Sequence, residues 1–497
     1  MISRTMRGLS WTLPALLLGL VTILAARTWL LSSRQPTPDA IQPMPLDVQA
    51  AAERLAGAVR IRTISNDRAP APGPAHAEFR EFLERQFPRL HQNLKREIVN
   101  ESSLLFTWQG HDPTAAPILL MAHSDVVPIA PGTESKWTYP PFEGVIADGY
   151  VWGRGAWDDK GCLMAIMEAV ERLIANGERP RQTVYLAFGH DEETGTSAGE
   201  QGAKHIAALL KKRGVHLAFV LDEGLLISEG GMSGLDKPVA LIGVAEKGYM
   251  NLSLSTEAQP GHSSLPPERM AISTLAVALD RVERKQMNTK INGLVRQMLE
   301  TVAPEIGGVN RVLLSNLWLF DPVVRWKLEA SSGGRAMLRT TLAPTIFNAG
   351  NKESSLPGNA QAVINFRLLP GDSKAAVLER TRRAVADDSV SIEPIGAPWE
   401  ATPVSRTDSA AYERIRTTVR EVFPDAIVAP GLMMGFTDSR HYIDVADDVY
   451  RFTPVRARNE DLARFHGTDE RISLRNYAEM IRFYARLMTS AAFQRTN

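Results

Sequence analysis

Residues 183–195 read TVYLAFGHDEETG, an apolar run that ends directly in a cluster of acidic side chains. Similar short apolar runs stand directly before His123 and before Asp222. Runs of this kind are consistent with buried strands, and they alternate with segments of helical spacing such as residues 162–176. This alternation predicts an α/β fold with a mostly parallel sheet that is covered by helices on both faces.

Length and composition narrow the class of protein. The chain has 497 residues, more than one hydrophobic core usually organises. Lys and Arg together number 56, as do Asp and Glu, and this balance argues against a nucleic-acid partner. The single cysteine, Cys162, excludes an intrachain disulfide and a cysteine-based zinc site. Any bound metal must therefore use histidine and carboxylate ligands.

The N-terminal segment has the pattern of a membrane-targeting sequence. Arg4 and Arg7 precede an apolar stretch over residues 11–26, which residues 29–31 extend to a length of about 20 residues. We predict that residues 1–34 form an uncleaved membrane anchor, with a cleaved signal peptide as the alternative. The body is then expected outside the cytoplasm, in a periplasm or lumen, or secreted if the segment is removed.

The periodicity also predicts where the domains divide. After Lys247 the segments follow a β-α-β-β-α-β order, the split arrangement of ferredoxin-like domains. The predicted division is a first catalytic part at 46–247, a lid or dimerisation domain at 248–398 with a helical insertion at about 285–335, and a second catalytic part at 399–497.

Side chains that suit divalent metals recur at the predicted strand ends, where sites form in parallel sheets, and in loops. The candidate ligands are His123, Asp158, Glu193, Asp222 and His466. Glu193 and Asp222 each stand next to a glutamate. We assign Glu193 to metal and Glu192 to general-base catalysis, and we prefer Asp222 as ligand while Glu223 stays open. Asp125, two residues after His123 in an extended chain, is expected to orient that imidazole.

The motifs carry a family resemblance when they are taken in order. HSDVVP, GRGAWDDKG, DEE, LDEG, GHSSLPP, TDSRHY and FHGTDER lie between about Leu46 and Met488. They resemble the zinc metallopeptidases that include carboxypeptidase S, aminoacylase and glutamate carboxypeptidase, and most of all the carboxypeptidase S and N-fatty-acyl-amino-acid hydrolase branch. The resemblance implies two zinc ions per chain that share Asp158, a cis Asp158–Asp159 peptide, and Glu192 as base.

The resemblance also implies roles outside the metal centre. His262 in GHSSLPP is expected to stabilise the oxyanion of the tetrahedral intermediate. Arg440 in TDSRHY and Arg367 in INFRLLPG are candidates for binding a substrate carboxylate. In simpler relatives the smaller domain dimerises. The insertion therefore leaves open whether this chain forms a homodimer and whether His262 acts within its own chain or on a partner.

These inferences predict a di-zinc amidohydrolase that cleaves small peptides with a free C-terminus, as a carboxypeptidase does. One alternative keeps the chemistry but acts on N-acyl amino acids, as a hydrolase or synthase. A second alternative is a non-catalytic metal-dependent binding protein. Glu192 and Asp125 argue against that second alternative, because binding alone needs neither a general base nor its support.

Overall fold

The computed structural model describes residues 3–38, 41–65, 73–194, 201–230, 234–291 and 293–492. The strands are β1 (Lys95–Val99), β2 (Ser103–Trp108), β3 (Ile118–His123), β4 (Val145–Ala147), β5 (Tyr150–Trp152), β6 (Val184–Gly189), β7 (Phe219–Ser228), β8 (Val239–Glu246), β9 (Gly248–Glu257), β10 (Gly261–His262), β11 (Thr341–Ala349), β12 (Ser355–Leu356), β13 (Asn359–Leu368), β14 (Val390–Trp399), β15 (Ile427–Met433), β16 (Val449–Ala457) and β17 (Arg471–Ser473).

The helices are α1 (Ser3–Leu30), α2 (Val48–Arg60), α3 (Pro74–Gln86), α4 (Pro88–Asn93), α5 (Lys160–Ala175), α6 (Gly202–Lys212), α7 (Ala271–Arg284), α8 (Gly293–Val302), α9 (Gly308–Ser315), α10 (Leu317–Glu329), α11 (Ser332–Leu338), α12 (Lys374–Val385), α13 (Ala410–Val422), α14 (Asn459–Leu462) and α15 (Leu474–Ala492).

The central sheet has eight strands in the order β1-β2-β6-β3-β7-β16-β8-β15. The four pairs β6–β3, β3–β7, β7–β16 and β8–β15 are parallel, whereas β1–β2, β2–β6 and β16–β8 are antiparallel. All six residues of β3 are buried, as expected for a strand covered on both faces.

Alternate residues of β3 face two different cores. Ile118 and Leu120 belong to the core that α2, α5 and α15 share, whereas Leu119 and Met121 pack in a separate core with α6. The period-two alternation of side chains along a strand produces this division. Helices therefore cover both faces of a mainly parallel sheet, and the predicted fold class is confirmed.

A second, four-stranded antiparallel sheet has the order β11-β13-β9-β14. Its apolar face packs against α7 and α12. Along the chain the elements β9, α7, β11, β13, α12 and β14 have the predicted β-α-β-β-α-β order, and helices α8 to α11 lie between α7 and β11. We call residues 248–398 the lid and α8 to α11 the insertion. The exact domain boundaries stay predictions.

Helix α1 contains the segment of the described chain that is long and apolar enough to cross a bilayer. Residues Leu13–Leu30 have a mean hydropathy of 1.8 and are not buried against the rest of the protein. Met1 and Ile2 of the predicted anchor lie outside the described residues.

Candidate metal centre

The central strands bring the candidate ligands to one edge of the sheet. His123 is the last residue of β3, Glu192 and Glu193 follow β6, and Glu223 lies on β7. These three strands are neighbours and run parallel. Their carboxyl ends therefore meet at the same edge, which is where parallel sheets usually bind ligands.

Asp158 lies between two groups of side chains that could each hold a metal ion. One group is His123, Asp158 and Glu223, and the other is Asp158, Glu193 and His466. The Oδ1 atom of Asp158 is 3.1 Å from Nε2 of His123, and its Oδ2 atom is 2.8 Å from Nε2 of His466. One carboxylate thus directs one oxygen to each group, the arrangement that a bridging ligand needs.

The remaining ligand of each group lies close to its histidine. Glu223 Oε1 is 3.3 Å from His123 Nε2, and Glu193 Oε1 is 3.1 Å from His466 Nε2. Each group places carboxylate oxygens beside an imidazole nitrogen, which fits a divalent cation, since imidazole with carboxylate is a donor set that zinc uses.

The geometry favours Glu223 over Asp222 as a ligand, although Asp222 is preferred on the sequence alone. Asp222 is buried, but its Oδ2 accepts a hydrogen bond from Ser439 N at 2.9 Å and its Oδ1 accepts one from Glu223 N at 3.0 Å. Among the described residues, the candidate groups include Glu223 and not Asp222. Successive residues of a strand point to opposite faces, so only one of the two can reach His123.

Asp125 contacts both the histidine and the acidic pair. Its Oδ1 is 3.3 Å from His123 Nδ1. Its two oxygens also accept hydrogen bonds from the backbone N–H groups of Glu192, at 3.3 Å, and of Glu193, at 3.0 Å. Asp125 therefore holds the turn that carries Glu192 as well as the imidazole of His123. The sequence predicted only the contact with the imidazole.

Glu192 is buried beside this centre and forms a third group with His123 and Glu193. Burial, and then the nearby charges of Glu193 and Glu223, hold the pKa of Glu192 well above its usual range against the opposing effect of His123. A carboxyl group with a raised pKa is suited to accept and return a proton near neutral pH.

The other carboxyl groups differ in their pKa because their neighbours differ. Burial and the charge of Asp158 raise the pKa of Glu193 and of Glu223 to about 7 each. Burial would also raise the pKa of Asp158, but its hydrogen bonds with His123 and His466 lower it below the usual range. So many acidic groups in one buried place repel one another unless cations compensate them.

The loop that carries Asp158 is fastened by a residue that the sequence reasoning missed. The buried Glu470 accepts hydrogen bonds at Oε1 from the N–H groups of Gly155 at 2.9 Å, Trp157 at 3.0 Å and Asp158 at 3.1 Å. Its Oε2 pairs with Arg154 Nη1 at 2.5 Å. The Asp158–Asp159 peptide is cis, as the resemblance implied.

His466 reaches the centre from the same C-terminal segment. Its backbone has a φ of +57°, in the left-handed region that few residues other than glycine adopt. Its ring stacks on Phe465, with the ring centroids 5.0 Å apart. Burial opposes the charged form, but the hydrogen bonds to Asp158 and Glu193 prevail and raise the pKa of His466 to about 10.

His262 lies apart from these ligands, on the lid. It is the second residue of β10, its side chain is exposed, and its Nδ1 is 2.7 Å from Ser264 Oγ. Among the described residues, the candidate ligand groups do not include it. Its role as oxyanion-stabilising residue stays a prediction.

The two candidate substrate-binding arginines share one aromatic cluster between the lid and the central sheet. Arg367 lies over the ring of Tyr249 at 4.7 Å, and Arg440 lies over the ring of Trp399 at 4.7 Å. Both also approach Phe436, at 5.5 Å and 4.9 Å. Among the described residues, none accepts a hydrogen bond from the buried Nη1 of Arg367.

The chain is similar in sequence to known proteins over most of its length. The profile of "Peptidase family M20/M25/M40" matches residues 119–490. The probable carboxypeptidase S-like 2 of Dictyostelium discoideum is 40% identical over 484 residues, which cover 95% of this chain and 92% of that protein. The N-fatty-acyl-amino acid synthase/hydrolase PM20D1 of Mus musculus is 41% identical over 445 residues, which cover 88% of this chain and 87% of that protein.

The fold is also similar to that of a solved structure. The M20 family metallo-carboxypeptidase Sso-CP2 from Sulfolobus solfataricus aligns with a TM-score of 0.64 at 18% identity and covers 88% of this chain and 98% of its own. At that identity the likeness concerns the fold.

Proposed function

Because the chain belongs to peptidase family M20/M25/M40 and is therefore an amidohydrolase, we propose that two zinc ions bind at Asp158 and support hydrolysis of small substrates with a free carboxylate. The observation that carries this proposal is the division of the Asp158 oxygens between two groups of ligands, 3.1 Å from His123 and 2.8 Å from His466. When bound, the ions supply Lewis-acid polarisation of the amide carbonyl and a lower pKa for a water molecule.

The chain itself supplies the proton transfer. Glu192 is buried next to the ligands and its carboxylate accepts the proton of the attacking water. Glu192 then delivers this proton to the nitrogen of the leaving amine. Asp125 fixes the backbone of Glu192 and the ring of His123 during both transfers. His262 of the lid donates to the developing oxyanion.

Substrate selection rests on Arg367 and Arg440. A guanidinium group binds a carboxylate with two parallel hydrogen bonds, and the buried Nη1 of Arg367 has no acceptor within the described part of the chain. Arg440 follows Ser439, whose N–H holds Asp222 near the metal ligands. The free carboxylate of a substrate therefore lies in the aromatic cluster, with its amide bond toward the centre.

The acyl side of the substrate separates two functions. A carboxypeptidase accepts an amino-acid residue there, whereas an N-acyl-amino-acid hydrolase accepts a fatty acyl chain. Relatives named for each activity match this chain almost equally, at 40% and 41% identity. We take the carboxypeptidase as the first candidate and the N-acyl-amino-acid hydrolase or synthase as the second.

A substrate panel on the zinc-loaded full chain tests the proposal. It pairs dipeptides and long-chain N-acyl amino acids, each as the free acid and as the C-terminal amide. We expect turnover of the free-acid dipeptides and loss of turnover for the amides. Turnover of the N-acyl amino acids alone selects the second candidate. Equal turnover of acids and amides contradicts the proposed role of the two arginines in binding the carboxylate. No turnover of any compound contradicts the proposed hydrolase activity.

We also propose that α1 anchors the protein in a membrane, with the body outside the cytoplasm. Arg4 and Arg7 precede the apolar segment, as is usual at the cytoplasmic end of a span. The exposed apolar side chains of α1, such as Leu17 and Leu18, suit a lipid environment. A cleaved signal sequence predicts instead that the purified protein begins beyond α1, which N-terminal sequencing detects.

A further inference from the structure

Helix α10 of the insertion has two apolar faces, and only one of them is buried. Leu317 and Val324 point into the protein core. On the other side Trp318 is 54% exposed and Trp326 is 72% exposed. Leu319 and Val323 are exposed beside these two tryptophans. At 3.6 residues per turn these four positions fall within an arc of about 140° around the helix, so they form one exposed apolar stripe, which we call the α10 face.

An exposed apolar stripe of this kind usually marks a binding surface. The helix that lies next to the α10 face, α1, indicates which kind of partner this surface fits. Arg311 Nη2 donates to the carbonyl oxygen of Leu31 at 2.9 Å, and Asn316 Nδ2 donates to Thr28 Oγ1 at 3.2 Å. The insertion therefore holds the C-terminal end of α1 directly before α10.

This attachment is well packed as well as hydrogen-bonded. Asn316 is fully buried, and its amide also contacts the carbonyl oxygen of Leu24 at 3.4 Å. Leu31 packs against the insertion core that includes Val302 and Leu317. Since a positive group stabilises the C-terminal end of a helix, Arg311 suits its place at the end of α1. The direction of α1 is thus fixed relative to α10.

The exposed apolar surface continues from α1 onto the insertion. Trp29 and Leu30 at the end of α1 are 83% and 69% exposed. Val309, at the start of α9, is also exposed. Tryptophan is enriched at the interface between lipid and water, with its ring among the headgroups. α10 also carries the exposed Lys327, whose Nζ donates to Asn310 Oδ1 at 3.2 Å, and a cation beside an apolar face suits anionic lipid headgroups.

From this continuity we propose that the α10 face lies in the interfacial layer of the bilayer that α1 enters, so that the catalytic body rests on the membrane in one fixed orientation. The inference rests on the proposed membrane anchor and goes beyond it, because an anchor alone leaves the body free to move on the linker that follows. Here the insertion is the part of the body that meets lipid headgroups.

Site-directed labelling of the full chain in phosphatidylcholine vesicles tests this inference. The native thiol of Cys162 is fully buried, so an introduced cysteine carries the label. Trp326→Cys reports on the α10 face, and Leu17→Cys reports on the anchor. Ile98→Cys is the matched control, because Ile98 is an exposed apolar residue on β1. The insertion core includes Ile427 and Ala429 of β15. β1 and β15 are the opposite edges of the sheet, about 34 Å apart at the usual strand spacing.

Each variant carries an environment-sensitive fluorophore, and the vesicles contain a lipid with a nitroxide close to the headgroup. We expect quenching of about twofold or more at positions 326 and 17 and none at position 98. Retained hydrolysis confirms that each labelled protein is folded, since none of the three residues belongs to the catalytic or binding machinery.

The possible outcomes are distinct. Quenching at 17 without quenching at 326 overturns the inference and leaves the anchor intact. No quenching at 17 overturns the anchor and the inference with it. If a second copy of the chain covers the α10 face, the label at 326 is shielded from an aqueous quencher in detergent as well and does not respond to the nitroxide lipid, which also overturns the inference.

Discussion

Asp222 and Glu223 are adjacent on β7 but have different partners. Glu223 lies 3.3 Å from His123, whereas Asp222 accepts hydrogen bonds from two backbone N–H groups. We expect Glu223→Gln to bind about one metal ion per chain instead of two, because an amide is a poor replacement for the carboxylate ligand. Elemental analysis of the purified variant measures this.

Asp222→Asn is the matched control for that substitution. It removes a charge one residue away and keeps one oxygen acceptor for Ser439 N–H. We expect it to retain both metal ions and to lose about 1–3 kcal/mol of unfolding free energy, since a buried hydrogen bond is weakened. Metal loss in Asp222→Asn and retention in Glu223→Gln would restore the assignment made from sequence.

Glu192 and Glu193 differ in a similar way. Glu193 contacts His466 at 3.1 Å, whereas Glu192 is buried beside the ligands with a raised pKa. We expect Glu192→Gln to lower kcat/KM by about 10²–10⁴-fold while both metal ions stay bound, because the amide cannot carry the proton. Steady-state kinetics and metal analysis of the same preparation measure the two effects. Full activity in a metal-loaded Glu192→Gln protein contradicts the mechanism.

The protonation of Glu193 and His466 makes metal binding depend on pH. In the metal-free protein burial and Asp158 raise the pKa of Glu193 to about 7. The pKa of His466 is raised to about 10, because its hydrogen bonds to Asp158 and Glu193 outweigh burial. Below pH 7 a zinc ion must therefore displace both protons, and between 7 and 10 it must displace one.

The affinity for zinc at this group is expected to rise with pH, about a hundredfold per unit below 7 and about tenfold per unit above it. Titration against a competing chelator over this range measures the slopes. A pH-independent affinity would show that neither group is protonated in the metal-free state.

At the scale of elements, the positions of the strand ends could be predicted and the contacts across the sheet could not. The apolar run 183–189 and the acidic residues after it are local features, so the sequence predicts both β6 and the candidate ligands that follow it. The choice between Asp222 and Glu223 depends on which of the two side chains projects to the face of the sheet where His123 lies. No local sequence pattern contains this information. Glu470 was missed because its contacts join residues more than 300 positions apart.

Loss of the contacts between Glu470 and the loop at residues 154–158 is expected to lower the free energy of unfolding. Glu470 and Arg154 form a fully buried ion pair at 2.5 Å. We expect Glu470→Gln to destabilise the protein by about 3–5 kcal/mol, because Arg154 is then a buried charge without its counter-ion. Urea unfolding of the metal-free protein measures the change. Asp469→Asn is the control, since Asp469 is the adjacent acidic residue and its contacts with Thr138 are exposed. Equal destabilisation by the two substitutions would contradict a specific contribution of the Glu470–Arg154 ion pair.

At the scale of the whole molecule, the lid carries His262 on an exposed two-stranded sheet that is separate from its four-stranded sheet. β10 pairs with β12, which lies in the connection between β11 and β13. β11 is an edge strand whose Ile346 and Phe347 are 48% and 44% exposed. Unpaired apolar edge strands readily pair with a second chain. We therefore expect a homodimer in which the lid of one chain brings His262 to the centre of its partner.

Mixing two inactive variants tests this arrangement. Glu192→Gln lacks the base, and His262→Ala lacks the oxyanion donor, so each alone has little activity. In a mixed dimer one centre combines an intact Glu192 with an intact His262 from the partner. After equal amounts are unfolded and refolded together, half of the dimers are mixed, and the activity should recover to about a quarter of the unmodified value. No recovery, with mixed dimers verified by differently tagged chains, would show that His262 acts within its own chain.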